Sequence, residues 1–178
     1  MYFGRCFCIR PLKDGRVVLI REFGMEGKEK LFQMYESLSA GAVRWGMPPY
    51  TTDRIEKWWL SNLQNLTPIV ALHGDKIVGH AQIFKRAHAR RKGTADLGMY
   101  LHQDFHNVGL GAAMLPKLLE VARREGLHRV GLTVVAENAR AVRLYEKVGF
   151  RVEGVLKDAH FGEDGKYHDE LAMALIFE

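Results

Sequence analysis

The stretch that decides the fold is Asp104-Phe-His-Asn-Val-Gly-Leu-Gly-Ala-Ala113, a turn that carries two glycines in a Gly-x-Gly pattern. Tyr100-Leu101 before it is typical of a strand end, and the residues after it have helical periodicity. Such a turn lets backbone N–H groups approach an anion, which the first helical turn and the helix dipole then hold. The turn therefore predicts a phosphate site, although its spacing matches neither the Walker nor the Rossmann pattern.

A second motif, Glu137-Asn-Ala-Arg-Ala-Val-Arg-Leu-Tyr-Glu-Lys-Val-Gly-Phe150, lies further along the chain. In order and spacing, the two motifs resemble the GNAT superfamily of acetyl-CoA-dependent N-acetyltransferases. The resemblance covers most of the chain and is strongest from Asp96 to Gly154. The C-terminal run Phe-x-x-x-Gly-x-Tyr-x-Asp-Glu-Leu-x-Met, which starts at Phe161, is similar to the ribosomal-protein and polyamine branches of that superfamily.

The resemblance implies a binding mode for acetyl-CoA as the acyl donor. The backbone of the glycine turn would hold the pyrophosphate, and unpaired backbone groups where two strands splay apart would bond the pantetheine arm. The expected cofactor-binding residues are Met99, Tyr100, Leu101, Asn107, Val108, Gly109, Leu110, Gly111, Ala112, Asn138 and Tyr145. The chain departs from the family at His106, where Gln or Arg is usual, so a cationic contribution to phosphate binding is weaker.

Three residues are candidates for catalysis by resemblance. Tyr145 would protonate the departing thiolate, whereas its position on an apolar helical stripe favours packing from the residues alone. Asn138 shares the face of Tyr145 two turns earlier, and serves either the cofactor or the helix N-terminus as a cap. Asp96 stands where many family members carry a strand glutamate that acts as a general base on the amine through water. The alternative is that Asp96 is only a solvated surface carboxylate.

The resemblance and the order of elements predict an α/β (α+β) GNAT fold in one domain over residues 1–178. Its centre would be a mixed, mostly antiparallel sheet of about six to seven strands flanked by about four helices. Predicted strands cover residues 16–23, 68–72, 76–84, 94–101, 129–136, 150–156 and 169–177. Predicted helices cover the Leu31–Leu38 region, a segment capped by Thr52 or Asp53, the segment from Gly109 to near Gly126, and Ala139–Val148, with a loop at Gly41–Tyr50.

Composition indicates an ordinary cytoplasmic globular protein. The 178 residues are 47% hydrophobic and 26% charged, no apolar run approaches a membrane span, and the N-terminus has no signal-peptide core. Cys6 and Cys8 are too few ligands for a structural zinc, and we expect both to be reduced, ordinary thiols. The histidines lack metal-ligand spacing, so no metal is expected.

The net charge of +5 raises the question of nucleic acid, and the basic run His88–Gly93 is its strongest local feature. This run is typical of a solvated turn and lacks interleaved aromatics. The leading hypothesis is an N-acetyltransferase acting on a primary amine, either a peptide N-terminus or a small amine, by direct attack in a ternary complex. An acyl-CoA sensor without turnover and a basic nucleic-acid-associated protein are the alternatives.

The acceptor side is less defined. Trp45 and Tyr50 in one loop, and Glu163 and Asp164 in another, are candidates to contact a cationic amine, although Glu-Asp-Gly is also ordinary turn chemistry. The sequence specifies neither the acceptor nor the oligomeric state, and a homodimer is compatible with it.

Overall fold

The computed structural model describes residues 6–48 and 50–178. Within these residues the chain forms one eight-stranded sheet in the order β1-β2-β3-β4-β5-β6-β8-β7, with five α-helices. The strands are β1 Cys6–Pro11, β2 Val17–Glu22, β3 Leu66–His73, β4 Lys76–Lys85, β5 Thr94–Leu101, β6 Arg129–Val135, β7 Arg151–Phe161 and β8 Tyr167–Ile176. The helices are α1 Lys28–Glu36, α2 Ala40–Val43, α3 Thr52–Asn62, α4 Leu110–Arg124 and α5 Ala139–Lys147.

The mixed, mostly antiparallel sheet confirms the predicted fold class, and β5–β6 is its parallel pair. Two elements exceed the expected number. Strand β1 is short and ends in a proline, so its own pattern is weak, and it forms by pairing with β2. Helix α2 is a single turn inside the segment expected to be a loop, and the Ser39 hydroxyl caps it by accepting from Ala42 N–H at 3.3 Å.

The start of α3 also differs from the prediction. Thr51 precedes the helix, and its hydroxyl accepts from Arg54 N–H at 3.4 Å, so Thr51 is the cap rather than Thr52 or Asp53. Asp53 lies in the first turn instead, where its charge favours the helix dipole, and it pairs with Lys57 at 3.0 Å.

Helices cover both faces of the sheet centre. Strand β4 is buried without interruption from Ile77 to Ala81, as expected of a strand with helices on both sides. The larger core contains Met114, Leu115 and Leu118 of α4, while a second core joins α1 and α3 around Leu31 and Trp59. Among the described residues, no helix combines the length and apolar character needed to cross a bilayer.

The parallel pair β5–β6 separates after a short contact. Its partners are Thr94 with Arg129, Ala95 with Val130, and Asp96 with Gly131. Both strands then continue, β5 to Leu101 and β6 to Val135, with no further pairing between their described residues. The gap between their carboxyl ends positions the functional site.

Candidate active site

A cleft of about 530 Å³ occupies the gap between β5 and β6. Residues 97–101 of β5 line one wall and residues 133–135 of β6 line the other. Because the two strands do not pair here, their facing backbone groups can bond an extended ligand laid between them. One carbonyl is already engaged, since Leu101 C=O accepts from His106 Nε2 at 3.0 Å.

The glycine turn begins α4 at the edge of this cleft. Gly109 is the N-cap residue with φ of 91°, a left-handed conformation that favours glycine. Ala113 N–H donates to Gly109 C=O at 3.0 Å and forms the first hydrogen bond of the helix. The N–H groups of Leu110, Gly111 and Ala112 precede it and, as in any helix start, are available to an anion.

Gly111 has a packing role that its spacing in the motif does not reveal. A Cβ at this position would lie 2.9 Å from Leu144 Cδ2 and 3.3 Å from Leu101 Cδ1. The missing side chain therefore lets α4 approach both α5 and β5. A substitution here changes helix packing as well as anion binding.

Positive charge at the turn comes from side chains that the sequence analysis did not select. Arg140 Nη1 donates to Asn107 Oδ1 at 3.2 Å, and Lys13 lines the same part of the cleft. Burial lowers the pKa of His106, and the charge of Arg140 lowers it further. His106 is therefore a neutral ring that donates to Leu101 C=O, and the positive charge beside the turn is the guanidinium of Arg140.

Tyr145 and Asn138 of the second motif both line the cleft. Tyr145 is 8% exposed and packs on Phe150 with ring centroids 5.7 Å apart. Burial, followed by the nearby Tyr100, raises the pKa of Tyr145 to about 12. Asn138 caps α5 by accepting from Ala141 N–H at 3.3 Å, so each residue has a structural role and also faces the cleft.

Of the other expected site residues, Val108 and Asp96 are not among those that line the cleft. Val108 packs on the core, and its carbonyl accepts from Lys13 N–H at 3.0 Å. Asp96 lies where β5 still pairs with Gly131 of β6, before the strands separate, and its carboxylate forms an ion pair with Arg86. This position favours another residue as the base, and the role of Asp96 stays a prediction. The remaining expected residues line the cleft: Met99, Tyr100, Leu101, Asn107, Gly109, Leu110, Gly111, Ala112, Asn138 and Tyr145.

Two other titratable side chains do face the cleft, His160 of β7 and Glu170 of β8. Both are shielded, with 9% and 14% of their side chains exposed, and His160 Nδ1 lies 3.7 Å from Glu170 Oε1. This distance is longer than a direct hydrogen bond. Hydrogen bonds between catalytic side chains are often long in the absence of substrate and shorten when it binds. The β7–β8 register shifts between Leu156 and His160, and Asp158 has φ of 51°. Such bulges redirect side chains near active sites.

A group of contacting side chains beside this pair holds the loop after α2. We call it the His168 clamp, and its members are His168, Trp45, Asp164 and Glu137. The Trp45 ring packs on His168 at 5.1 Å and on His160 at 6.1 Å. His168 contacts Asp164 Oδ1 at 3.0 Å and Glu137 Oε1 at 3.2 Å, and these two carboxylates raise its pKa. Asp164 is thus occupied within its own hairpin and, like Glu163, is not among the lining residues.

Sequence reasoning missed His160 because the predicted strand ended at Leu156, whereas β7 continues to Phe161. It missed Glu170 because no local pattern shows which side chains of a strand face the gap between two other strands. The available signal for Glu170 is modest: it is a carboxylate directly before the apolar run from Leu171 to Phe177. For Arg140 the signal was stronger, since it lies inside the second motif, two residues after Asn138.

Comparison with known proteins supports the family resemblance found in the sequence. The acetyltransferase (GNAT) family model matches residues 30–150. The chain is 29% identical over 129 residues to the L-amino acid N-acetyltransferase AaaT of Escherichia coli (strain K12). The aligned segment covers 72% of this chain and 79% of the relative. It is 35% identical over 72 residues to the [ribosomal protein bS18]-alanine N-acetyltransferase of the same strain, over 40% of this chain and 48% of the relative.

Solved structures agree on the fold. The phosphinothricin acetyltransferase of Sinorhizobium meliloti, in complex with acetyl-CoA, matches with a TM-score of 0.78 at 18% identity over 90% of this chain and 88% of that chain. The family match runs from Lys30 in α1 to Phe150 and so includes the glycine turn, the separated strands β5 and β6, and α5. The chain therefore belongs to the acetyltransferase (GNAT) family and is an acetyl-CoA-dependent N-acetyltransferase.

Proposed function

We propose that this enzyme moves the acetyl group of acetyl-CoA to a primary amine, in a small molecule or at a peptide N-terminus, by direct attack in a ternary complex. One observation carries the proposal. A single cleft combines an anion-binding helix start and unpaired strand edges with a phenol, an imidazole and a carboxylate, namely Tyr145, His160 and Glu170. Anion binding suits the donor, and the titratable groups suit proton transfer.

For the donor, the N–H groups at the start of α4 would hold the pyrophosphate, with Arg140 and Lys13 as counter-charges. The pantetheine arm would lie along Met99 to Leu101 as an additional strand. This placement brings the thioester toward Tyr145 and Asn138 on α5.

For the acceptor, the amine must lose a proton before or during attack. An imidazole is the commonest general base, and a carboxylate partner orients the ring and stabilises its charged form. We assign these roles to His160 and Glu170. The amine nitrogen forms a bond to the carbonyl carbon, His160 accepts one proton, and the C–S bond breaks.

Tyr145 would assist the departing sulfur. With a pKa of about 12, full proton transfer from Tyr145 to a thiolate of pKa ~8.5 is uphill by roughly 5 kcal/mol. Tyr145 therefore stabilises the developing thiolate chiefly by donating a hydrogen bond. The thiolate then takes up one proton from solvent, and His160 returns to solvent the proton that it accepted from the amine, so the reaction balances and Tyr145 keeps its own proton.

A covalent acyl-enzyme is not part of the proposal. Cys8 is a free thiol and is not among the residues that line the cleft, and the side chain of Cys6 lies outside the described part of the chain. Direct attack requires only that donor and acceptor bind together.

The test is thiol release from acetyl-CoA with free amino acids, polyamines and short peptides as acceptors. We expect turnover with at least one α-amine, intersecting initial-rate plots, and activity retained in the Cys6→Ser/Cys8→Ser double variant. Parallel plots together with an acetylated protein in the absence of acceptor would contradict direct attack. No thiol release with any amine would contradict the proposed function itself.

A further inference from the structure

A second cavity, of about 190 Å³, lies beside the cleft between α1, α3 and the sheet. We call it the aromatic pocket, because five aromatic side chains line it: Tyr35, Tyr50, Trp58, Trp59 and Tyr100. Met47 and Tyr100 line both this pocket and the cleft. A molecule whose amine lies in the cleft can therefore extend another of its groups into the aromatic pocket.

The size and walls of the pocket suit part of a ligand rather than a complete one. Pockets that enclose a whole small molecule usually measure about 300–1,000 Å³. The rings of Tyr35, Tyr50 and Tyr100 pack on one another with centroids 5.2 to 5.4 Å apart. Tyr35 is further fixed by its hydroxyl, 2.8 Å from His80 Nδ1. Such walls favour contact with the carbon skeleton of a ligand.

One charged side chain, Arg54 of α3, is among the residues that line the pocket. Arg54 is also exposed, so it lies where the pocket opens to solvent. Its Nη1 donates to Pro48 C=O at 3.3 Å, which holds the guanidinium toward the loop before α3. Burial is the main cause of the raised pKa of Tyr50, and the nearby charge of Arg54 opposes it. A guanidinium has five N–H donors, so most of them are left for a ligand.

The carboxylates next to Arg54 on α3 already have lysine partners. Asp53 pairs with Lys57 at 3.0 Å. Glu56 pairs with Lys28 at 2.9 Å. Within residues 6–48 and 50–178, no Asp or Glu forms an ion pair with Arg54 or lines the aromatic pocket. The positive charge of the pocket is therefore available to an anion, and a guanidinium binds a carboxylate through two parallel hydrogen bonds.

The two connected cavities present opposite charges to an acceptor. The cleft contains the carboxylate of Glu170 beside His160, and the aromatic pocket contains the guanidinium of Arg54. An acceptor with an amine at one end and a carboxylate at the other matches both. A polyamine or a lysine side chain would instead place a second positive charge beside Arg54, which is unfavourable.

We propose that Arg54 binds a carboxylate of the amine acceptor, while the aromatic walls of the pocket pack on its carbon skeleton. The acceptor is then an amino acid, and the carboxylate is either the α-carboxylate or that of an acidic side chain. The assignment rests on the proposed function and narrows its substrate class from primary amines to amino acids.

The test measures kcat/KM for two pairs of acceptors that differ by one carboxylate: L-phenylalanine with L-phenylalaninamide, and L-glutamate with L-glutamine. If the α-carboxylate is bound, Arg54→Gln should lower kcat/KM about tenfold for the three free amino acids and leave the value for L-phenylalaninamide unchanged. If a side-chain carboxylate is bound, the loss should occur with L-glutamate alone. Arg54→Lys should retain part of the rate, because it keeps the charge but not the two parallel donors.

Lys57→Gln is the matched control, because it removes one positive charge from an exposed position on the same helix that does not line the pocket. It should leave all four values unchanged. A folding defect lowers all four equally and does not imitate either expected pattern. An equal effect of Arg54→Gln on all four acceptors, no effect on any, the same pattern in Lys57→Gln, or turnover limited to amines without a carboxylate would overturn the assignment while leaving acetyl transfer intact. Failure of every amine to release thiol would instead overturn the proposed function on which it rests.

Discussion

The part of the site proposed to bind the donor and the part proposed to bind the acceptor, here called the donor side and the acceptor side, are built in different ways. The donor side is mostly backbone: the start of α4 and the unpaired edges of β5 and β6, with Arg140 added. The acceptor side is mostly side chains, contributed by α1, α3, β4, β7, β8 and the loop between α2 and α3. A backbone site binds any molecule with the right phosphate and amide groups, whereas a side-chain site can differ between enzymes that share a donor.

This difference predicts that substitutions on the two sides affect different kinetic and binding constants. Changes on the donor side should alter acetyl-CoA affinity equally for all acceptors, because every reaction uses the same donor. Changes on the acceptor side should alter turnover or acceptor KM and leave acetyl-CoA affinity unchanged. Three predictions test this separation, and a fourth tests the charge of His168 beside the cleft.

The largest effect is expected at His160. His160→Ala should lower kcat on the order of 10³-fold through loss of the general base, with acetyl-CoA affinity unchanged, and added imidazole should restore part of the rate. Glu170→Gln should have a smaller effect and shift the pH–rate profile. Steady-state kinetics measure both, and His128→Ala, an exposed histidine, is the control. Normal activity in His160→Ala would remove His160 from the mechanism.

Tyr145→Phe should lower kcat on the order of 10²-fold, because it removes the hydrogen bond to the leaving sulfur but keeps the ring against Phe150. Thermal stability and calorimetric acetyl-CoA affinity should change little. An unaltered kcat would show that Tyr145 serves only as a core residue.

Arg140→Gln should weaken acetyl-CoA binding about tenfold, as expected for loss of a charged hydrogen bond to phosphate, and should do so to the same extent with every acceptor. Arg143→Gln is the matched control, because Arg143 is exposed on the same helix and is not among the cleft-lining residues. Equal affinities of the two variants in calorimetry would place the phosphate away from Arg140.

The smallest effect concerns the pH dependence of the His168 clamp. The pKa of His168 is raised by Asp164 and then by Glu137, while Trp45 packs on the ring. A raised folded-state pKa stabilises the fold fully below the unfolded value of about 6.5, and this stabilisation is lost as pH rises through the folded value. The melting temperature of His168→Asn should therefore fall below that of the native protein by a few degrees at pH 6 and by less at pH 9. A constant difference across that range would mean that the clamp acts without its charge.

The same contrast explains which parts of the site were predictable. The strand Thr94–Leu101 and the helix after Gly109 follow from local patterns, as does the packed position of Tyr145 on α5. The family resemblance predicted acetyl-CoA as the acyl donor and the separation of two neighbouring strands near Met99 to Leu101. The role of Asp96 as a base stays a prediction; its position in the paired part of β5, beside Arg86, depends on where that separation begins, which no local pattern contains.

Periodicity and turn chemistry were sufficient for the sheet and helices that hold the donor, because backbone sites depend on φ and ψ preferences that act within a few residues. The residues of the acceptor side could be identified only from the tertiary structure. His160 reaches the cleft because β7 continues past Leu156 to Phe161, and Tyr100 lines the cleft because β6 does not pair with β5 at this position. Those side chains come from segments far apart in the chain, and their juxtaposition is a property of packing rather than of any one segment.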